Sequence, residues 1–396
     1  MKSKIALGLL CLLMNDAPVF AGIAPVTTPP LKGLGSPLPE LTTKQLSSFV
    51  DGRASFSGTE TVADGIGPIF NDTSCVACHD AGGVGGASVR TVTRFGRMVN
   101  GVFDPMEAQG GSLLQERAID PAVREVVPKE ANVIARRLTT PLYGVGLIEA
   151  IDPAEISLGL LKPKPEGIKG KVSIVKDVVS GNLMIGRFGW KAQQASLLAF
   201  AGDAYVNEMG ITNRFFPTEN APNGNKALLA RFDKVPDVED KIDPIDGLAD
   251  IDRLADFMRL LAPPERLELR TDSAEAGQRL FYKQECAACH IPSMKTTRHK
   301  IEALSEKKVM LYSDLLLHDM GALGDGIAQG TAGIRDMRTA PLWGLRSRPA
   351  YLHDGRATTV DAAIRAHEGE AANARKLYLA ASAADRAALL DFLKTL

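Results

Sequence analysis

With 396 residues and a formal net charge of −1, the chain is long enough for two domains and shows no charge bias toward nucleic acid or an anionic membrane. It has five cysteines, and four of them fall in two copies of Cys-x-x-Cys-His.

The first residues, MKSKIALGLLCLLMNDAPVFAGIAP, set Lys2 and Lys4 before an apolar run from Ile5 to Met14, followed by the small residues Ala21 and Ala24. That is the pattern of a secretory signal peptide over residues 1–21, too short to cross a bilayer and cut after Ala21 or Ala24. Cys11 leaves with it, and the bulky Leu10 argues against lipidation, which needs a small residue there. No later apolar run is long enough to span a membrane, so the expected product is exported and not membrane-spanning.

Residues 41–56, LTTKQLSSFVDGRASF, read as a helix, and a Gly-rich loop leads to NDTSCVACHD at 71–80. TTPLYGVG follows at 139–146, then LKPKPEGIKGKVSIVKD at 161–177, whose alternating apolar positions suggest a hairpin or a surface excursion. DIDRLADFMRLL at 250–261 is an amphipathic helix with one buried stripe. The two prolines of LAPPERLELRTD (261–272) stop it and mark a boundary. The order then repeats. SAEAGQRLFYKQE (273–285) runs into the second Cys-x-x-Cys-His in YKQECAACHI, TAPLWGLR (339–346) repeats the Pro-Leu-aromatic-Gly loop, and DRAALLDFLKTL (385–396) repeats the closing helix with its Asp-Phe pair. A shared order of four features predicts a duplicated domain, 22–265 and 266–396, with long loops enlarging the first copy. Strands look scarce, so the predicted fold class is mainly α.

Cys-x-x-Cys-His is the haem c attachment sequence: two thiols add to one haem and the adjoining histidine ligates its iron. Zinc needs four ligands in compact spacing, and the two pairs lie about 200 residues apart. A dithiol redox motif explains neither the histidine nor the duplication. Two covalently bound haems c are therefore expected, at Cys75, Cys78 and His79 and at Cys286, Cys289 and His290. Bacteria attach haem c outside the cytoplasm, which fits export and places the product in the periplasm.

These pentapeptides together with TPLYGVGLIEAI (140–151), RFGWKA (187–192), YSDLLLHDMG (312–321), APLWGL (340–345) and YLHDGRATTVDAAIRAHEGEA (351–371) resemble the bacterial di-haem oxidoreductase or peroxidase family, sometimes labelled thiol oxidoreductase. It is related to the di-haem cytochrome c peroxidases and to the methylamine-utilisation di-haem enzymes. The resemblance implies two tandem cytochrome c-like domains, a peroxide or another small oxidant as substrate, and a small periplasmic cytochrome or cupredoxin as electron donor. It leaves open a plain electron-transfer cytochrome and an enzyme that oxidises a partner protein or an organic substrate.

Of six histidines, none lies between His79 and His290, so the first haem has no distal histidine from its own domain. Its sixth position is open, holds water, or takes Met98, Met184 or Met209. His367, on a helix that turns Val360, Ala363 and Ile364 to the same side, is the expected sixth ligand of the second haem, with Met320 the alternative. The related peroxidases have methionine at the corresponding place, so histidine here departs from their pattern. His353 and His318 are expected to bond a propionate or cap a turn, and His299 to be solvated. Trp190 and Trp343 sit in family-like motifs and are candidates for an electron stepping stone or for ordinary packing. Glu149 lies where the resemblance puts the distal loop and is the expected acid–base catalyst, with Arg94 and Arg97 as candidate propionate or oxygen partners.

Overall fold

The computed structural model describes residues 33–236, 240–269 and 271–396. The signal peptide expected over 1–21 lies outside them. Helices α1 (Thr43–Ser57), α2 (Val145–Glu149), α3 (Pro153–Leu158), α4 (Leu197–Ala204), α5 (Lys226–Phe232) and α6 (Asp250–Leu260) come first. They are followed by α7 (Asp272–Lys283), α8 (Val360–Arg365), α9 (Ala372–Ala380) and α10 (Ala383–Leu393).

Two helix pairs are built alike. Thr42 starts α1 with a capping box: its hydroxyl accepts from Gln45 N–H, and the Gln45 side chain accepts from Thr42 N–H. The buried face of α1 (Phe49, Gly52, Phe56) lies on that of α6, where Leu254, Phe257 and Met258 are buried. The two backbones meet at Gly52, where a Cβ would sit 2.2 Å from the Arg253 carbonyl oxygen. In the second pair, α7 meets α10 at Gly277, where a Cβ would sit 1.9 Å from the Ala388 carbonyl oxygen. Aromatic rings flank both crossings, Phe56 against Phe257 at 4.8 Å and Phe281 against Phe392 at 5.4 Å.

Gly277→Ala should therefore destabilise the protein. The added methyl forces the helices apart, an overpacking cost of about 1–3 kcal/mol that outweighs the gain in helix propensity. A denaturant midpoint unchanged from the parent would show that the crossing has slack.

The mainly α expectation does not hold. Helix makes up 34% of the chain and strand 16%, the strands being spread over several small sheets. The largest sheet has three antiparallel strands: Thr91–Val99 pairs with Val102–Asp104 on one side and Val133–Leu138 on the other. TVTRFGRMV and VIARRL are rich in β-branched residues and are half-buried, which suits a pleated surface. Both lie in the long stretch between the first pentapeptide and α6, where the sequence reading had loops outside the 161–177 segment.

The 161–177 stretch lies largely at the surface and is buried at Ile168, Ser173 and Asp177. Its end forms a hairpin, Ser173–Lys176 against Leu183–Gly186. The part before it lies over the second unit: Lys164 reaches buried Asp314 at 3.0 Å, and the Lys169 and Gly170 N–H groups both donate to Glu370. Apolar packing also crosses the sequence boundary. The larger core contains Phe49, Leu147 and Leu254 together with Leu304, Leu311 and Leu316, while a smaller one gathers Phe281, Tyr312, Tyr378, Leu389 and Phe392. Among the described residues no helix is long and apolar enough to cross a membrane.

Candidate haem sites

Each Cys-x-x-Cys-His folds into a tight turn that turns its three side chains to one side. In the first, the N–H groups of Cys78 and His79 both donate to the Cys75 carbonyl. In the second, a 3-10 turn over Cys286–Ala288 is followed by His290 N–H donating to the Cys286 carbonyl at 2.9 Å. Each turn opens onto its own cavity, of about 1250 Å³ at the first and about 1350 Å³ at the second. A third cavity of about 800 Å³ lies between them and shares wall residues with both.

The donor set fits haem better than a dithiol redox site. None of the four cysteines is in a disulfide. Burial pushes the Cys75 and Cys286 thiols up to about 12 and Cys78 to about 11, so these thiols stay protonated at neutral pH. Redox attack uses the thiolate, so neither pair suits a dithiol redox site. The histidines are prepared differently. His79 Nδ1 faces the Gly86 carbonyl at 3.3 Å and His290 Nδ1 the Tyr312 carbonyl at 3.0 Å. A carbonyl can only accept, so Nδ1 carries the proton and Nε2 keeps its lone pair for a metal. Burial lowers both imidazoles to about 4 and keeps them neutral.

The second cavity contains another such histidine. His367, just past α8, directs Nδ1 to the Ala363 carbonyl at 2.8 Å, which again leaves Nε2 free. It lines the cavity with His290 and is near enough for its charge to be felt there. Met320 lines the same cavity. His318 is buried there too, but both its nitrogens are taken, by Asp314 at 3.0 Å and Glu370 at 2.7 Å. Burial would lower its pKa; the hydrogen bonds to Asp314, Cys289 and Glu370 outweigh that and raise it to about 12. Cys289, Asp314 and His318 do converge within 4.8 Å, but an imidazolium donating from both nitrogens has no lone pair for a cation. His353 is buried with its ring edge-on to Trp190 at 6.3 Å. His299 is half-buried, lies outside the cavities, and accepts from Ile301 N–H.

The first cavity holds His79 and no other histidine. Of the candidate methionines, Met209 lines it and Met98 and Met184 do not. Arg94 lines it, whereas Arg97 pairs with Asp104 at 2.7 Å elsewhere. Glu149 is not among its walls. One carboxylate oxygen accepts from Leu197 N–H at the start of α4, and the other pairs with Arg259 at 2.7 Å, so the group ties α2 to α4 and α6.

The acids that do line this cavity are Asp72, which pairs with Arg90 and Arg117, and Asp203 and Glu208; the sequence reading missed all three. Asp203 and Glu208 stand five positions apart, a spacing that separates side chains by about 140° on a regular α-helix. After α4, however, the chain widens into a π-type turn over Tyr205–Met209. Asp203 lies in the last turn of α4 and Glu208 in the widened turn, and across this break from the α-helical period both reach the one cavity. Burial raises both carboxyls above their usual range; Asn71 and Arg94 pull Glu208 back, and Arg94, Gln194 and Asn207 pull Asp203 back. Asn71 donates to Glu208 at 2.7 Å and Asn207 to Asp203 at 3.0 Å.

Trp190 lines all three cavities, with its indole N–H donating to the Leu138 carbonyl at 2.8 Å. Trp343 lines only the middle one of the three.

Residues 116–396 match the family model described as "Di-haem oxidoreductase, putative peroxidase". No curated protein matches the chain. Among solved structures, hydrazine synthase from Kuenenia stuttgartiensis is 14% identical, covers 96% of this chain and 100% of its own, and superposes with a TM-score of 0.41. The diheme peroxidase BthA from Burkholderia thailandensis is 13% identical over 88% of this chain and 85% of its own, TM-score 0.38. A MauG-like protein associated with microbial copper homeostasis is 17% identical over 69% and 91%, TM-score 0.32.

Proposed function

The chain belongs to the di-haem oxidoreductase and peroxidase family and is a haem-dependent oxidoreductase, and from that premise we propose how its residues divide the work. Cys75 and Cys78 bind one haem covalently, Cys286 and Cys289 the other, and His79 and His290 are their proximal ligands. The two units follow the boundaries read from the sequence, 22–265 and 266–396, behind a cleaved leader that sends the protein to the periplasm. Haem supplies electron transfer where iron is held on both sides and oxidant binding where one side is open.

The observation that carries the assignment is the asymmetry of the two cavities. The second places His367 with His290, each with Nδ1 occupied and Nε2 free, which supports two histidine ligands and an electron-transfer role. The first has one histidine and two buried carboxylates of raised pKa, which supports an oxidant-activating role. Peroxide cleavage needs a group that takes a proton from the near oxygen and returns it to the leaving one. Glu208 suits this: it reaches the cavity, and burial next to Asp203 makes its carboxylate readier to accept a proton. Arg94, charged and beside the pair, holds the oxidant. The role expected of Glu149 passes to Glu208, because the Glu149 carboxylate is spent on Arg259 and α4. Trp190 bridges the cavities as the electron relay. A small periplasmic cytochrome or cupredoxin donates the electrons, and peroxide is the favoured oxidant.

Met209 favours a second reading. If its thioether took the sixth position of the first haem, the protein would be an electron-transfer cytochrome. Electron paramagnetic resonance of the oxidised protein separates the two: the peroxidase reading expects one high-spin and one low-spin signal. Two low-spin signals and no reaction with peroxide would establish the cytochrome. His367→Ala should convert the low-spin signal to high-spin and open that iron to added ligands. An unchanged low-spin signal would make Met320 the ligand.

A further inference from the structure

We propose that Arg338 and Arg348 receive the propionate carboxylates of the haem held at Cys286, Cys289 and His290, an inference that rests on the attachment reading above.

Arg187, buried beside α2, rests on backbone carbonyls alone, but several other cations of the interior have anionic partners: Arg137 and Lys191 share Asp325, Lys164 has Asp314, and Arg259 has Glu149. Arg338 and Arg348 have none among the described residues. Arg338, buried at the end of the strand Asp336–Arg338, donates only to the carbonyls of Gly189 and Thr339. Arg348 donates only to those of Pro341 and Trp343, and its Nε is buried with no partner. The charge that Arg338 feels is that of Arg348, a repulsion that adds to the cost of burial. Burial lowers both guanidiniums to about 10, so both remain cations at neutral pH. Two neighbouring cations, Arg338 buried and Arg348 half-buried, with carbonyls alone for company are expensive, and a pair of carboxylates removes that expense.

The location identifies the source. Both arginines line the second haem cavity and also the middle cavity, and Trp190 lines the same two. A haem attached through Cys286 and Cys289 carries two carboxylates on one edge, and the guanidinium fork matches that geometry. His353, also in this cavity, is the weaker partner because burial keeps its imidazole neutral, near 4. Arg338 and Arg348 would hold those carboxylates on the side of the cavity that Trp190 also lines.

The test uses the haem-loaded full-length protein with Arg338→Gln, Arg348→Gln and the corresponding lysine variants. Spectroelectrochemistry reads each haem's midpoint, and redox-difference infrared spectra read the propionates. A nearby positive charge favours the reduced iron, so each Gln variant should lower the second haem's midpoint, by about tenfold in the electron-exchange equilibrium, or about 59 mV for one electron. Its carboxylate bands should move as well, and the lysine variants, which keep the charge and guard against misfolding, should retain most of the parental midpoint. A purely structural pair would change stability and leave the bands in place. Unmoved midpoint and bands, or a shift confined to the first haem, would overturn the proposal. Absence of covalently bound haem on the Cys286–His290 peptide of the parent would overturn the attachment reading and this inference with it.

Discussion

Glu208→Gln should slow the reaction with peroxide by about 10²–10⁴-fold, the usual worth of a positioned general acid–base group. The carboxamide is nearly the same size and still offers an oxygen to Asn71, so the cavity wall and the π-type turn should persist. What is lost is the ability to take up a proton and return it. Stopped-flow mixing of the half-reduced protein with peroxide measures the effect, and the high-spin and low-spin signals of the oxidised protein should match the parent. Glu149→Gln is the informative control. It weakens the bond to Arg259 and the link between α2 and α6, so it should lower stability and leave the peroxide rate unchanged. The reverse result, a slow Glu149 variant and a normal Glu208 variant, would restore the role the sequence suggested. Asp203→Asn addresses the pair: if its charge is what raises Glu208, the variant should alter the rate less than Glu208→Gln does but more than Glu149→Gln.

The contrast between Glu149 and Glu208 shows what was legible in the sequence. Glu149 stood out through its neighbours, since GLIEAID follows the Pro-Leu-Tyr-Gly loop. Local order placed it next to the first unit's core but could not say which way its carboxylate turns. Glu208 was hidden because the usual helical period sends positions 203 and 208 to different faces, and only a widened turn joins them. Helices α6, α7 and α10 were legible because a buried stripe repeats at helical spacing within each segment. The match between Gly52 and Gly277 was not, because a close backbone crossing depends on a partner helix more than a hundred residues away. The strands were underestimated for a related reason. Runs such as TVTRFGRMV carry arginines on a half-buried face and read as loop until their partner strand is known. Arg338 and Arg348 carried no signal in the sequence; that they rest on carbonyls without a carboxylate shows only in the fold.

Asp325→Asn should cost about 3–5 kcal/mol, the usual penalty for removing one side of a buried ion pair. The Asp325 side chain is fully buried, as is that of Lys191, and Arg137 is nearly so. One carboxylate oxygen meets Lys191 Nζ at 2.8 Å and the other meets Arg137 Nε at 2.8 Å. Lys191 also donates to the carbonyls of Gly333 and Asp336, and Arg137 to Gln329, so neither cation can turn outward to water without breaking further bonds. Asparagine keeps the shape and removes the charge, leaving two cations that repel each other. The pH dependence follows from the direction of the shift. Burial alone would raise the Asp325 pKa, but Arg137 and Lys191 outweigh it and hold the carboxyl below its usual range. A carboxylate depressed on folding contributes stability in full above its unfolded pKa, about 3.9, and loses that contribution as pH falls through the lower folded value. The parent should therefore lose stability on acidification more steeply than Asp325→Asn, and the two should converge at low pH. Denaturant midpoints of the haem-loaded protein at several pH values would show this. A loss under 1 kcal/mol at neutral pH would mean that water reaches the site. The consequence extends to the relay, because Lys191 adjoins Trp190 in sequence and Arg137 lines the first cavity. The buried triad joins the strand Val133–Leu138 and the Trp190 loop of the first unit to the 325–336 loop of the second, so loosening it should also slow electron exchange between the haems.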